Sequence, residues 1–296
     1  MATPRLSCTR GWLLIRTLLM MTVLLFGTAC TKLDATLYRL FNYERIETDP
    51  RSGPIPAKLL QPTMILAIPE EIRAPSGISY QPDLAKFAVV TDDNELFLLN
   101  HSLDEISFRT DIEFEAEVEG VVFLDDSRLA LISEQGDLLF FDRTGQEWVP
   151  GQTQLRAWDK ASWSHVFGSA AYDGQARELI TGVKVGVNEL YRLGLDGSLS
   201  KTISAVPDSQ LLISAPSALG RYTIVGLVAS GSALYLLSEQ YSTVLRLQAG
   251  TIDRAWGLQG VGELSGITIK DGLFYVLGDF EENQPKPPVY VFSLEP

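Results

Sequence analysis

The sequence has few of the residues on which most catalytic centres depend. Of its 296 residues, two are cysteine and two are histidine. His101 lies in an Asn-His-Ser turn and His165 lies three residues before Gly168, and neither is in a G-x-S-x-G or H-E-x-x-H context. A zinc centre needs three or four well-placed ligands. The sequence also contains no P-loop, dinucleotide fingerprint or EF-hand loop, which disfavours the enzyme classes that these motifs define.

Positive charge is also scarce. There are 24 lysine and arginine residues against 37 acidic residues, and the net charge is −13. Phosphate recognition depends on lysine and arginine, so this balance excludes nucleic acid as a partner and disfavours anionic lipid headgroups.

The first thirty residues have the pattern of an export signal. Arg5, Arg10 and Arg16 form a basic start, and the uncharged run 17–29 follows. A bilayer-spanning helix needs about 20 apolar residues, so this run favours a cleaved signal over a permanent anchor.

The run ends Phe-Gly-Thr-Ala-Cys at Cys30, which resembles the lipobox of bacterial lipoprotein signals. Gly27 stands where leucine is usual in that motif. The other cysteine, Cys8, lies in the part that would be removed, so the mature chain would have one cysteine and no internal disulfide. The resemblance implies lipidation of Cys30, and Thr31, in place of aspartate, implies sorting to the outer membrane. The alternative is an ordinary secretory signal with an incidental cysteine.

The chain therefore divides into three predicted parts. Residues 1–29 form the lipoprotein signal peptide, residues 30–62 the lipidated N-terminus and tether, and residues 63–296 the folded body. Prolines at 50, 54, 56 and 62 favour a stiff tether before the body.

The body has the pattern of an all-β protein. Short runs of apolar, β-branched and aromatic residues are bounded by turn residues, such as Asp196-Gly197 and Lys270-Asp271-Gly272. No stretch shows three turns of helical periodicity.

An internal repeat indicates the architecture. Five glycines each open an apolar run, and at four of the five the following strand ends in a carboxylate 13 to 15 residues later. The glycines are Gly77, Gly120, Gly168, Gly226 and Gly266, and the matching strand ends are Asp92, Glu134, Gly182, Glu239 and Asp279. The intervals of 43, 48, 58 and 40 residues are typical of four-stranded propeller blades.

The sequence thus predicts a β-propeller of five four-stranded blades. The 58-residue interval allows a sixth, degenerate blade around residues 203–214. The run Met64–Ile68 precedes the first blade and is predicted to close the ring as the outermost strand of the last blade, beside Val289–Leu294.

The same repeats carry a family resemblance. Pro75-Ser-Gly-Ile-Ser-Tyr80, Val118-Glu-Gly-Val121, Leu131-Ile-Ser-Glu134, Leu236-Leu-Ser-Glu239 and Leu264-Ser-Gly-Ile267 resemble the SdiA-regulated family of bacterial proteins. The resemblance spans roughly residues 68–294 and implies a β-propeller exported to the cell envelope. Phe167-Gly168 and Gly182 depart from the family pattern, and the family supplies no known activity.

Two sets of residues are candidates for binding. Strand ends near a propeller axis could form a ring of carboxylates, and calcium takes six to eight oxygen ligands. The candidate metal set is Asp92, Glu119, Glu134, Glu239 and Asp279. The alternative is that these acids accept backbone hydrogen bonds at repeated turns. The long connection that contains Trp158, Trp163 and His165 is a second candidate binding site. The alternative is that its aromatic residues simply pack over a blade edge.

Two functions follow as expectations. The first is a non-enzymatic binding or scaffolding module, anchored to the membrane by lipid and facing the periplasm, with an envelope protein or a small molecule as its partner. The alternative is a calcium-dependent hydrolase of the lactonase or phosphodiesterase type, in which a central ion polarises the substrate. A purely structural role in envelope assembly is a further alternative, and fold alone does not choose among these roles.

Overall fold

Every regular element in the described part of the chain is a β-strand. The computed structural model describes residues 58–156, 167–184, 189–196, 199–204, 206–207, 224–239, 242–278 and 286–293. No helix within these ranges has the length and apolarity needed to cross a membrane.

Two short strands, β1 (Lys58–Leu60) and β2 (Met64–Ala67), precede five repeated four-stranded sheets. The first blade contains β3 (Pro75–Gln81), β4 (Lys86–Thr91), β5 (Glu95–Asn100) and β6 (Ile106–Asp111). The second contains β7 (Val118–Phe123), β8 (Arg128–Ser133), β9 (Asp137–Thr144) and β10 (Glu147–Arg156). The third contains β11 (Phe167–Asp173), β12 (Glu178–Val183), β13 (Glu189–Gly194) and β14 (Leu199–Ser204).

The fourth blade follows the two-residue strand β15 (Val206–Pro207) and contains β16 (Ile224–Ser230), β17 (Ala233–Ser238), β18 (Thr243–Gln248) and β19 (Thr251–Leu258). The fifth contains β20 (Leu264–Lys270), β21 (Leu273–Gly278) and β22 (Pro288–Ser293), with β2 as its outermost strand.

Consecutive strands within a blade pair antiparallel through short turns. The turn between β20 and β21 shows the local chemistry: Asp271 and Gly272 have φ of 52° and 75°. A two-residue turn with positive φ at both positions matches the right-handed twist of its strands, and aspartate and glycine tolerate that conformation.

The ring closes as the sequence predicted. β2 pairs antiparallel with β22, so that Met64 lies opposite Val291. The fourth blade carries two additional strands, because β1 and β15 both pair parallel with its outer strand β19.

The core consists of five apolar layers, one between each pair of neighbouring blades. The layer between the fifth and first blades packs Val289 and Leu277 against Phe87 and Val89, all of them buried. A four-stranded blade cannot cover both of its faces alone, so stacking neighbours around a ring buries each face against another blade.

These layers fix the number of blades at five. The innermost strands of the third and fourth blades touch directly: a Cβ on Gly168 would lie 2.7 Å from the carbonyl oxygen of Ile224. No space remains between them for a sixth blade. Residues 203–204 end β14, Val206–Pro207 pairs with β19, and residues 208–223 lie outside the described ranges.

Candidate functional site

The innermost strands approach one another at the hub through their glycines. A Cβ on Gly120 would lie 2.9 Å from the backbone nitrogen of Ala170, and one on Gly226 would lie 2.9 Å from that of Ile267. A Cβ on Gly266 would lie 3.1 Å from the backbone nitrogen of Ile78, which brings the ring back to the first blade. Only a residue without a side chain allows the backbones to come this close.

Each innermost strand also carries an irregularity just before this position. The pairing register shifts by one residue at the start of β3, β7, β11, β16 and β20. Such a bulge leaves one residue unpaired and redirects its side chain. The residues at the shift are Ser76, Glu119, Gly168, Val225 and Ser265.

The register corrects one sequence-based assignment in the third blade. Gly77 lies opposite Val90 and Gly120 opposite Ile132, but in the third blade Ser169, rather than Gly168, holds this place, opposite Gly182. Gly168 is instead the bulged residue.

Because Ser169 replaces Gly168 as the equivalent residue, the equivalent strand end in the third blade also changes. In the first and second blades the acid lies two residues after the residue that pairs with the hub glycine: these acids are Asp92 and Glu134. In the third blade the residue at this place is Lys184, so Gly182 is not the equivalent of the acids. A lysine therefore occupies the place in the third blade that a carboxylate holds in the first, second and fourth blades.

Lys184 makes an ion pair with the bulged residue of the second blade. Its Nζ donates to both Oε1 and Oε2 of Glu119, each at 2.7 Å. The Glu119 side chain is 4% exposed and that of Lys184 is 32% exposed. The carboxylate is therefore withdrawn from water, and the lysine side chain is partly buried beside it.

Burial is the largest single influence on the pKa of each residue of this pair. It raises the pKa of Glu119 to about 7, although Lys184 lowers it; Asp92 and Glu134 raise it further by repulsion. The pKa of Lys184 is raised overall: burial lowers it, but Glu119, Asp92 and Glu239 together outweigh that effect. Lys184 therefore remains protonated throughout the neutral range.

A group of three carboxylates adjoins the ion pair. One carboxylate oxygen from each of Glu117, Glu119 and Glu134 lies within 4.8 Å of the others. Burial raises the pKa of Glu134, and repulsion from Glu117 raises it further, against the effect of Lys184. These separations suit shared oxygen ligation of one ion, but Glu119 already has both oxygens bonded to Lys184.

The structure thus brings together part of the predicted carboxylate ring. Glu119 and Glu134 are neighbours, and the charges of Asp92 and Glu239 act on the ion pair, Asp92 on both partners and Glu239 on Lys184. Asp279 lies outside the described residues, as do Trp158, Trp163, His165 and Cys30.

Lys184 and Glu117 were not singled out from the sequence. The interval from Ser169 to Lys184 is 15 residues, the same as from Gly77 to Asp92. That equality would have identified Lys184 if Ser169 had been taken as the third anchor. Glu117 carries no such signal.

The hub itself encloses little space. Its cavity measures about 180 Å³, including the part open to solvent, and is lined by innermost-strand residues of all five blades, among them Gly77, Glu119, Ser169, Gly226 and Gly266. Pockets for small organic ligands are typically about 300 to 1,000 Å³. A cavity of this size between the described residues suits water molecules or a single ion.

Comparison with known proteins gives the class but no closer identity. No protein-family model matches the sequence, and no curated protein matches it significantly. Solved structures do match. Glutaminyl cyclase from Myxococcus xanthus has a TM-score of 0.59 and 14% identity, covering 79% of this chain and 97% of the cyclase. The PQQ-bound aldose sugar dehydrogenase from Streptomyces coelicolor has a TM-score of 0.55 and 10% identity, covering 81% of this chain and 99% of the dehydrogenase.

The protein is a five-bladed β-propeller. At such low identities the similarity concerns the fold alone, because propellers support many unrelated activities.

Proposed function

We propose that the protein is a lipid-anchored binding or scaffolding module of the bacterial cell envelope. In this proposal Cys30 carries the lipid, the propeller faces the periplasm from the outer membrane, and an envelope protein or a small molecule is the partner. The sequence pattern around Cys30 and the resemblance to the SdiA-regulated family support the location.

One observation favours binding over catalysis. The hub is narrowed by contacts between glycines and neighbouring backbones, and its cavity between the described residues is only about 180 Å³. Glu119 lines this cavity, and both of its carboxylate oxygens accept hydrogen bonds from Lys184. Among the described residues, the blade edges and outer faces are surfaces on which a partner can bind.

Substitution of Cys30 tests the anchor. Cys30→Ser should move the protein from the membrane fraction to the soluble fraction of the envelope, because a serine cannot be lipidated. Cys8→Ser is the matched control and should leave the protein in the membrane fraction, since Cys8 belongs to the removed segment. Retention of the Cys30→Ser protein in membranes would overturn the proposed anchoring.

A calcium-dependent hydrolase is the second candidate, and the grouping of Glu117, Glu119 and Glu134 is the observation that favours it. These carboxylates would supply oxygen ligands, and the ion would polarise a substrate carbonyl or phosphoryl group. The ammonium of Lys184 opposes this arrangement, because it repels a divalent cation and already bonds both oxygens of Glu119.

Thermal melting with added calcium separates the two candidates. An ion that binds only the native state raises the melting temperature as its concentration rises. The binding-module proposal predicts no shift. A shift in the wild-type protein that Glu119→Gln with Glu134→Gln removes would favour the hydrolase instead.

A further inference from the structure

The outer edge of the fifth blade differs from the outer edges of the other four. Its edge strand β2 reads Met-Ile-Leu-Ala and has no charged residue. The outer strands of the first three blades contain charge, with Arg109 and Asp111 in β6, Glu147 and Arg156 in β10 and Lys201 in β14, and the outer strand of the fourth blade, β19, is covered by β1 and β15. Proteins usually protect edge strands with charge, proline, bulges or covering segments.

The apolar side chains of this edge are open to solvent. Met64 is 54% exposed and Ile65 is 60% exposed, while Leu66 is half-buried and packs on the layer between the fifth and first blades. Successive side chains of a strand point to opposite faces. Both faces of β2 therefore offer apolar surface next to an open backbone edge.

That backbone edge has one neighbour in the described part of the chain. β2 is the end strand of its sheet and pairs with β22 alone. The backbone groups that point away from β22 are the groups an added strand would bond.

The molecule already uses this mode of association at the next blade. Lys58–Leu60 and Val206–Pro207 add as short parallel strands along the outer strand of the fourth blade. Short extended segments thus fit against the outer edge of a blade in this fold.

We propose that β2 is a docking site for an extended segment of a partner protein, which adds as a strand outside Met64–Ala67. The partner segment has apolar residues at successive positions, so that its side chains meet Met64 on one face of the strand and Ile65 on the other. This inference rests on the proposed binding function and names the surface that performs it.

Two other occupants fit the edge less well. A lipid bilayer covers apolar side chains, but its hydrocarbon cannot bond the open backbone groups of a strand. A second copy pairing through β2 would share four residues on each side. The area that so few residues bury is far below the roughly 1,200 Å² of a stable interface. A flexible peptide segment needs neither a large flat interface nor a dry one.

A synthetic peptide tests the site. The probe has the sequence of residues 286–293, the segment that includes the strand pairing with β2 on its inner side, and carries a fluorophore for anisotropy measurements on the purified chain. Binding is expected. Ile65→Lys should weaken it about tenfold or more, because a charged edge residue blocks strand addition.

Two controls separate strand addition from general stickiness. Val149→Lys changes an exposed apolar residue on the outer strand of the second blade, 39% exposed, and should leave peptide binding unchanged. The same peptide with N-methyl groups on alternate amides lacks the donors that a strand needs and should not bind.

The remaining outcomes overturn the inference. They are failure of the unmodified peptide to bind, equal binding of the N-methylated peptide, and equal loss in the Ile65→Lys and Val149→Lys chains. Dimers that sediment in the wild-type protein and disappear in Ile65→Lys would assign the edge to a second copy. Binding to vesicles of phosphatidylethanolamine and phosphatidylglycerol that Ile65→Lys abolishes would assign it to the bilayer. None of these results alters the Cys30→Ser test, so the anchor and the docking site fail or stand separately.

Discussion

Replacing Lys184 by methionine isolates the role of the hub ion pair. Methionine retains the apolar stem of lysine and removes the ammonium that bonds both oxygens of Glu119. The buried carboxyl group then has no cation in contact. Removing one partner of a buried pair costs about 3 to 5 kcal/mol when the remaining charge cannot escape, but a carboxyl group can escape by taking up a proton.

Linkage gives the size and the sign of the effect. The pKa of Glu119 is raised from 4.5 to about 7 in the folded protein, so the folded state holds a proton more tightly than the unfolded state. The contribution of Glu119 to stability is therefore greatest below pH 4.5 and is lost as pH rises toward 7, by about 3 kcal/mol in all. Above pH 7 this decline stops in the wild-type protein, because Glu119 ionises against Lys184.

In Lys184→Met the decline continues above pH 7, because the pKa of Glu119 rises further without the ammonium. The variant should match the wild-type protein closely at pH 5 and become progressively less stable than it above pH 7, by roughly 1 kcal/mol for each further pH unit. The growing difference, rather than a constant one, identifies the ion pair.

Urea denaturation followed by tryptophan fluorescence, from pH 5 to pH 9, measures this difference. Lys86→Met is the matched control: Lys86 Nζ bonds the hydroxyl of Ser107 at 2.7 Å in an exposed contact, so its effect should be small and independent of pH. A Lys184→Met deficit that is the same at pH 5 and pH 9 would refute the reasoning.

Two further predictions concern contacts between blades. The buried hydroxyl of Ser76 donates to the carbonyl of Val118 at 2.6 Å, so Ser76→Ala should lower the free energy of unfolding by about 1 kcal/mol, measured by the urea midpoint, whereas Ser102→Ala at an exposed turn should not. Lys270 Nζ lies 5.4 to 5.6 Å from the ring centres of Tyr80, Phe87 and Tyr275 and bonds the carbonyl of His101 at 2.6 Å. Lys270→Met should therefore cost about 1 kcal/mol at the seam between the fifth and first blades, seen as a lower melting temperature; Lys270→Arg keeps the cation and should lose less, and equal losses would contradict this role.

The architecture was predictable because it depends on features that repeat. Blade spacing is visible in the intervals between Gly77, Gly120, Gly226 and Gly266, since the hub demands a residue without a side chain at each. The closing strand was predictable because Met64–Ile68 is a strand-like run with no blade of its own.

The candidate site was less accessible because it depends on register. A bulge shifts the pairing by one residue, and no residue type marks that shift. Gly168 drew the third anchor one position early because it happens to be a glycine beside Ser169. The error concealed Lys184, and with it the fact that a lysine lies among the hub carboxylates.

The proximity of Glu117 to Glu134 could not be read from the sequence for a different reason. The two residues lie on opposite sides of the β7–β8 hairpin, where the backbone N–H of Glu134 donates to the carbonyl of Glu117 at 2.8 Å. Their side-chain separation depends on the curvature at the bulge.

The closed five-bladed ring is tested most directly by Gly120→Ala. The new methyl group would lie 2.9 Å from the backbone nitrogen of Ala170 and 3.0 Å from the carbonyl carbon of Ser169, where neither backbone can retreat without opening the ring. We expect a loss of at least about 2 kcal/mol in the free energy of unfolding. Gly174→Ala, whose nearest contact is a Tyr172 ring atom at 3.7 Å, should change it by less than about 0.5 kcal/mol. A Gly120→Ala protein as stable as Gly174→Ala would contradict the packed hub on which this account depends.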